Sequence, residues 1–107
     1  MMIHIRIVHG IIIDMKLPVN YNLLTPNQRK LVREEYIKLQ KGMCLHCGNL
    51  LTDEASEAVR NKSVNEKLFP TGFFKWPIHL HHDHKTGITK GAVHCYCNAV
   101  LWQYFGE

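Results

Sequence analysis

The apolar positions change period along the chain, and each change marks an element. Residues 2–13 form the only apolar run near the start, interrupted by His4, Arg6, His9 and Gly10. They predict a strand from Ile3 to Val8 and a turn at Gly10. The run is too short to span a bilayer, which takes about 20 apolar residues, and it lacks the small-residue cleavage site of a secretory signal. A cytoplasmic protein without membrane association is therefore expected. Thr25-Pro26-Asn27-Gln28 then reads as a helix start. Thr25 caps, Pro26 suits the first helical position and Gln28 completes a capping box. Leu31, Val32, Glu35, Tyr36 and Leu39 recur at helical spacing, and Gly42 is a natural stop. A helix over residues 26–40 is expected, with Arg29, Lys30, Arg33 and Lys38 on a solvated face.

Residues 53–68 are polar and predict a second helix or a loosely helical insertion, broken at Pro70-Thr71-Gly72. Phe73, Phe74, Trp76 and Pro77 follow, and such aromatics more often close a core than stack on bases. Ile78 to His82 predicts a short strand, residues 83–87 a turn, and Ile88 to Val93 a second strand. Val100, Leu101 and Tyr104 place a helix over residues 96–105. Strand, turn, strand, helix is the expected end of the chain, and the expected fold class is α+β.

Composition narrows this only a little. A chain of 107 residues has room for one core. A small core is commonly supplemented by a bound metal. Thirteen Lys and Arg against nine Asp and Glu leave a net charge of +4. That excess suits a polyanionic partner, although basic charge also serves solubility.

Cysteine spacing changes the picture more. Cys44-x-x-Cys47, followed by Gly48, forms a knuckle in which a tight turn lets two thiolates grip one tetrahedral ion. In a reducing compartment the four cysteines favour metal over disulfides. Two choices exist for the partner pair, Cys95-x-Cys97 and His94-x-x-Cys97. The two-residue spacer repeats the knuckle geometry, so Cys44, Cys47, His94 and Cys97 are the expected ligands of a structural zinc, with Cys95 a bystander. A second cluster, His79-Leu80-His81-His82-Asp83-His84, is costly to place in a core. Strand alternation sends His79 and His81 to one face, and His82 and His84 to the other.

Taken in order, this cluster, Thr86-Gly87, Lys90-Gly91-Ala92-Val93-His94 and Cys97-Asn98-Ala99 resemble the HNH (ββα-metal) endonucleases. Within them the string is most similar to the phage recombination endonuclease VII group, and it covers about residues 41–105. The resemblance implies a single domain over 1–107, with an N-terminal strand and helix in 1–42 and a zinc knuckle plus ββα-metal core in 43–107. It implies hydrolysis of DNA phosphodiester bonds, with His82 as general base and a catalytic Mn²⁺ or Mg²⁺ held by His81 and Asn98. His81 stands where the group usually has Asp, which tilts the preference toward Mn²⁺. His94 stands where the group has its third zinc Cys. His79, Asp83 and His84 would support the site, and Lys85 and Lys90 would contact phosphate. The segment 53–77 is longer than the family's usual link. A monomer that nicks one strand is expected, with a dimer left open. Two rival readings remain: a non-catalytic zinc-knuckle module that binds nucleic acid, and a histidine-rich metal sensor or carrier.

Overall fold

Thr25 and Gln28 exchange the two hydrogen bonds of a capping box, Thr25 Oγ1 accepting from the Gln28 amide at 3.2 Å and Gln28 Oε1 from the Thr25 amide at 2.8 Å. With Pro26 in the first turn, they start α1, Pro26–Leu39. The helix ends where Lys41 and Gly42 adopt positive φ and the Gly42 amide reaches back to the Ile37 carbonyl. The computed structural model describes residues 4–5 and 15–107, with side chains from residue 16 onward. Of the strand expected over residues 3–8, it describes His4–Ile5 (β1), paired antiparallel with Met15–Lys16 (β2). The rest of that strand and the turn at Gly10 lie outside the described residues.

The centre is an antiparallel hairpin of β3, Ile78–His82, and β4, Thr89–His94, followed at once by α3, Cys95–Phe105. The second strand thus starts and ends one residue later than expected. Ile78 pairs with His94 and His81 with Gly91, but His82 pairs with Thr89, so Lys90 is an extra residue bulged from β4. His79 and His81 reach toward α3. On the other face Thr89, opposite His82, meets the Tyr36 hydroxyl of α1 at 2.9 Å. The hairpin is therefore sandwiched between α1 and α3. Leu80, Ala92, Val93, Cys97, Val100, Val32 and Tyr36 belong to one buried core.

Residues 17–21 extend the hairpin at its turn end. The Val19 amide donates to Thr89 Oγ1, the Thr89 amide to the Val19 carbonyl, and the Tyr21 amide to the Gly87 carbonyl. Gly87 has φ +80°, and a Cβ there would lie 2.5 Å from Asn20 Oδ1, so only glycine fits. At the other end Gln40 caps the edge of β4. It donates to the Ala92 carbonyl and accepts from the Ala92 amide, at 2.9 and 2.8 Å.

The insertion takes the looser of its two expected forms. Only Glu57–Arg60 (α2) is α-helical, and Glu66–Leu68 and Phe73–Lys75 are single 3₁₀ turns. Its backbone carbonyls go instead to side chains of α3. Tyr96 donates to the Lys62 carbonyl, and Gln103 and Tyr104 both donate to that of Ser63. Phe69, Phe73 and Phe74 form a half-buried aromatic cluster against Trp102 and Tyr96, outside the buried core that such aromatics were expected to close. Trp76 does not join it and is 64% exposed. The molecule is a small α+β fold, and no described helix is long and apolar enough to cross a membrane.

Candidate functional site

The junction of β4 and α3 carries the first cluster. The ligand atoms of Cys44, Cys47, His94 and Cys97 all lie within 4.8 Å of one another. His94 Nδ1 is 3.5 Å from Cys47 Sγ and 3.7 Å from Cys97 Sγ. A tetrahedral zinc with ordinary Zn–S and Zn–N bonds sets that separation at about 3.6 Å. The tautomer fits as well. His94 Nε2 lies 2.9 and 3.0 Å from the carbonyls of Leu50 and Asp53. Carbonyls only accept, so the proton sits on Nε2 and the bare Nδ1 lone pair faces the thiols. These bonds also keep His94 extended (φ −60°, ψ 149°) as the residue that caps α3.

Cys44 is pulled down to about 4, first by its hydrogen bond with Cys97. Cys97 is pushed up, first by the same contact. A cation among these thiols would favour the thiolate form that metal ligation needs. The four residues can therefore bind a metal such as zinc. Cys95 is outside the group; it is half-buried, and burial raises its thiol.

The second cluster links β3 to the first turn of α3. His79 Nε2 lies 2.9 Å from the Phe73 carbonyl, so it must donate. Burial holds the His79 pKa below its ordinary value, so the ring is neutral and its Nδ1 accepts, here from Asn98 Nδ2 at 3.1 Å. That fixes the Asn98 amide, whose Oδ1 accepts from His81 Nδ1 at 3.1 Å. One direction therefore runs from His81 through Asn98 and His79 to Phe73. It leaves His81 Nε2 bare and buried, 3.8 Å from a Glu107 carboxylate oxygen that is itself 3.2 Å from Lys90 Nζ. Burial first, then Lys90, lowers the His81 pKa.

His82 belongs to the opposite face. Its ring stacks on Tyr21, centroids 3.9 Å apart and 9° from parallel, and on His84 at 5.1 Å and 6°. The Arg29 guanidinium covers the far side of Tyr21 at 3.8 Å, while Arg29 Nε donates to the Tyr21 carbonyl. Four flat groups thus stand in a row. Burial, then His84, depresses the His82 pKa, so the ring stays neutral below the ordinary imidazole range. Its Nδ1 is buried without a hydrogen-bond partner among the described residues.

A cleft of about 460 Å³ runs along the edge of β3 that β4 does not cover. It collects residues of both faces: His79 and Asn98 from one, His82 and His84 from the other, with Arg29 and Arg33 of α1 as its basic wall. Not every expected residue lies there. His81 is only 3% exposed and opens on a smaller cavity beside Lys90 and Glu107. Asp83 spends its carboxylate on the turn, accepting from the amides of Lys85 and Thr86 at 2.8 Å each, and those bonds hold its pKa below the usual range. Lys85 and Lys90 do not line the cleft, whereas Arg29 and Arg33, read from sequence as solvated, do. Tyr21 and Glu107 were missed, because neither belongs to a local motif. Comparison with known protein families, characterised proteins and solved structures returns no match to this chain.

Proposed function

We propose that this chain is a metal-dependent DNA endonuclease of the HNH (ββα-metal) type, with a structural zinc at Cys44, Cys47, His94 and Cys97. The observation that carries the reading is the cleft in which neutral His82 and the oriented Asn98 amide share one basic-walled groove. Arg29 and Arg33 would hold the phosphate backbone there, giving contacts that carry no sequence readout. His82 Nε2 would take the proton of the attacking water, and its depressed pKa keeps it unprotonated near neutral pH.

The donor set suits a divalent ion at His81 and Asn98. His81 Nδ1 and Asn98 Oδ1 converge to 3.1 Å, and Asn98 opens on the cleft. Such an ion would neutralise charge developing on the leaving 3′-oxygen. Holding it would require the His81 proton to move from Nδ1 to the orphaned Nε2, which faces the Glu107 carboxylate at 3.8 Å, beyond hydrogen-bond range until one of them shifts. An imidazole in place of a carboxylate favours Mn²⁺.

The described residues form one His82–Asn98 cleft, so we expect a monomer to nick one strand at a time. Supercoiled plasmid, incubated with zinc-loaded protein and a panel of divalent ions, should pass first to open circle. No nicking with any ion, by protein that retains one zinc, would remove the nuclease reading. Linear product without an open-circle intermediate would remove the monomer. Asn98→Ala should lose nicking and partly regain it at high metal concentration, since ligation rather than proton transfer is weakened.

A further inference from the structure

A second cavity adjoins the cleft. It measures about 270 Å³ and shares His84, Asn98, Phe73 and Pro70 with the larger groove. Its remaining walls are Leu68 and Phe69 from the long segment before β3, and Trp102 from the outer face of α3. Pockets for drug-sized ligands run from about 300 Å³ upward, so this one suits a single small ring system. Trp102 meets Phe69 edge to face, 69° from parallel, and no described ring lies flat against it. It is 40% exposed, and Leu68 is 51% exposed. A core gap would hide these groups. Here they stay partly exposed on a cavity that shares four residues with the basic cleft.

We propose that this cavity receives one unstacked nucleobase of a single-stranded DNA segment whose backbone follows the Arg29–Arg33 wall. The path of the strand rests on the nuclease reading above; the base pocket rests on its own walls. Both sides of the Asn98 amide are already engaged by His79 and His81, so the pocket has no free amide with which to read a base edge. Recognition is by stacking on Trp102, which every base offers, and is tolerant of sequence. The same geometry explains the segment 53–77, whose length the family resemblance leaves over. It carries Phe69 and Pro70 to the mouth of the site.

The test is binding, separate from cleavage. Zinc-loaded His82→Ala protein, which should not cut, is titrated into a short oligonucleotide carrying one 2-aminopurine, either single-stranded or paired. The single strand should bind more tightly than the duplex and lose fluorescence as the base stacks. Trp102→Ala should weaken single-strand binding by roughly 5- to 150-fold and abolish the quench, with duplex affinity unchanged. Trp102→Leu keeps the apolar packing without the aromatic face, and should show the same selective loss with zinc content and melting temperature intact. Equal affinity of parent and Trp102→Leu for the single strand, an equal loss for both substrates, or no binding of the single strand would each overturn the proposal. Plasmid nicking with unaltered single-strand binding in Trp102→Leu would sink the pocket alone. Stacking without nicking by any divalent ion would sink the nuclease alone.

Discussion

Two clusters flank the first turn of α3, and they are finished to different degrees. In the Cys44–Cys47–His94–Cys97 group the imidazole proton is fixed by two carbonyls and its lone pair meets thiols, so each donor is already aimed inward. In the His79–Asn98–His81 group a hydrogen-bond chain is satisfied along its length but ends on a bare, buried His81 Nε2. A closed, preorganised donor set is what a structural ion needs. The second group is instead left incomplete at His81 Nε2, on the small cavity beside Lys90 and Glu107, and only its Asn98 and His79 line the open cleft. His94 and Asn98 are four residues apart. On the proposed nuclease reading one short segment would serve both groups, because β4 delivers His94 in extended conformation and α3 turns Asn98 back toward β3.

The comparison breaks most visibly at the knuckle. His94→Ala should release the metal and unfold the protein, since ligation and folding are coupled, with apparent site energies of roughly 10–16 kcal/mol in small finger peptides. Cys95→Ser should keep one zinc per chain and a near-parental melting temperature, because Cys95 lies outside the cluster. Zinc analysis with thermal melting checks both. Loss of zinc from Cys95→Ser with retention in His94→Ala would reverse the ligand assignment.

The cleft should respond in rate rather than in fold. His82→Ala is expected to lower nicking by roughly 10²–10⁴-fold, with zinc content and DNA affinity kept, because a general base acts in the transition state. The pH profile sharpens this. As the proposed general base His82 would work unprotonated, and burial lowers its pKa, so activity should persist through the ordinary imidazole pKa of about 6.5 and fall only on the acid side of it. A cation at His81 and Asn98 acts in the same direction. A midpoint above that value would contradict the assignment.

What was legible in the sequence is what is local to it. The capping box, the strand Ile78–His82 and the two-residue spacer from His94 to Cys97 each rest on neighbours a few positions apart, and each is found in the structure. The alternation of the histidines between two faces was also legible, and it is why the cleft must wrap an edge. The roles of Tyr21 and Arg29 were hidden, because residues 17–21 join the hairpin some seventy positions away, Val19 to Thr89. Which of the two forms residues 53–68 would take was hidden for a related reason. Their polar, helix-favouring composition says nothing of the Tyr96, Gln103 and Tyr104 side chains that claim the backbone carbonyls.

Tyr21 offers a smaller and more selective test. Aromatic pairs contribute about 0.5–1.5 kcal/mol beyond burial, so Tyr21→Ala should free the His82 ring and slow nicking by roughly 2- to 13-fold. The KM for DNA should change less than kcat. Tyr21→Phe should restore the rate, since the stacked face acts and the hydroxyl does not. A Phe variant as slow as Ala would mean that the hydroxyl carries the role instead.

The smallest effect on the rate is expected at Glu107, where the unfinished end of the second cluster can be probed directly through metal affinity. Its carboxylate lies 3.8 Å from His81 Nε2, beyond hydrogen-bond range, and is held by Lys90 at 3.2 Å. If ion binding moves the His81 proton to Nε2, the carboxylate gains a donor, as outer partners of metal-bound histidines do. Losing such a partner typically weakens metal affinity by about 10- to 100-fold. Glu107→Gln keeps an accepting oxygen, and Lys90 already offsets the charge, so about tenfold is expected, at the low end. The rate at saturating Mn²⁺ should be parental, as should the zinc content. Titration of Mn²⁺ against nicking, and against the melting temperature with no DNA present, separates the cases. An unchanged Mn²⁺ midpoint in both would show that His81 keeps its proton on Nδ1, and that the ion is held without it.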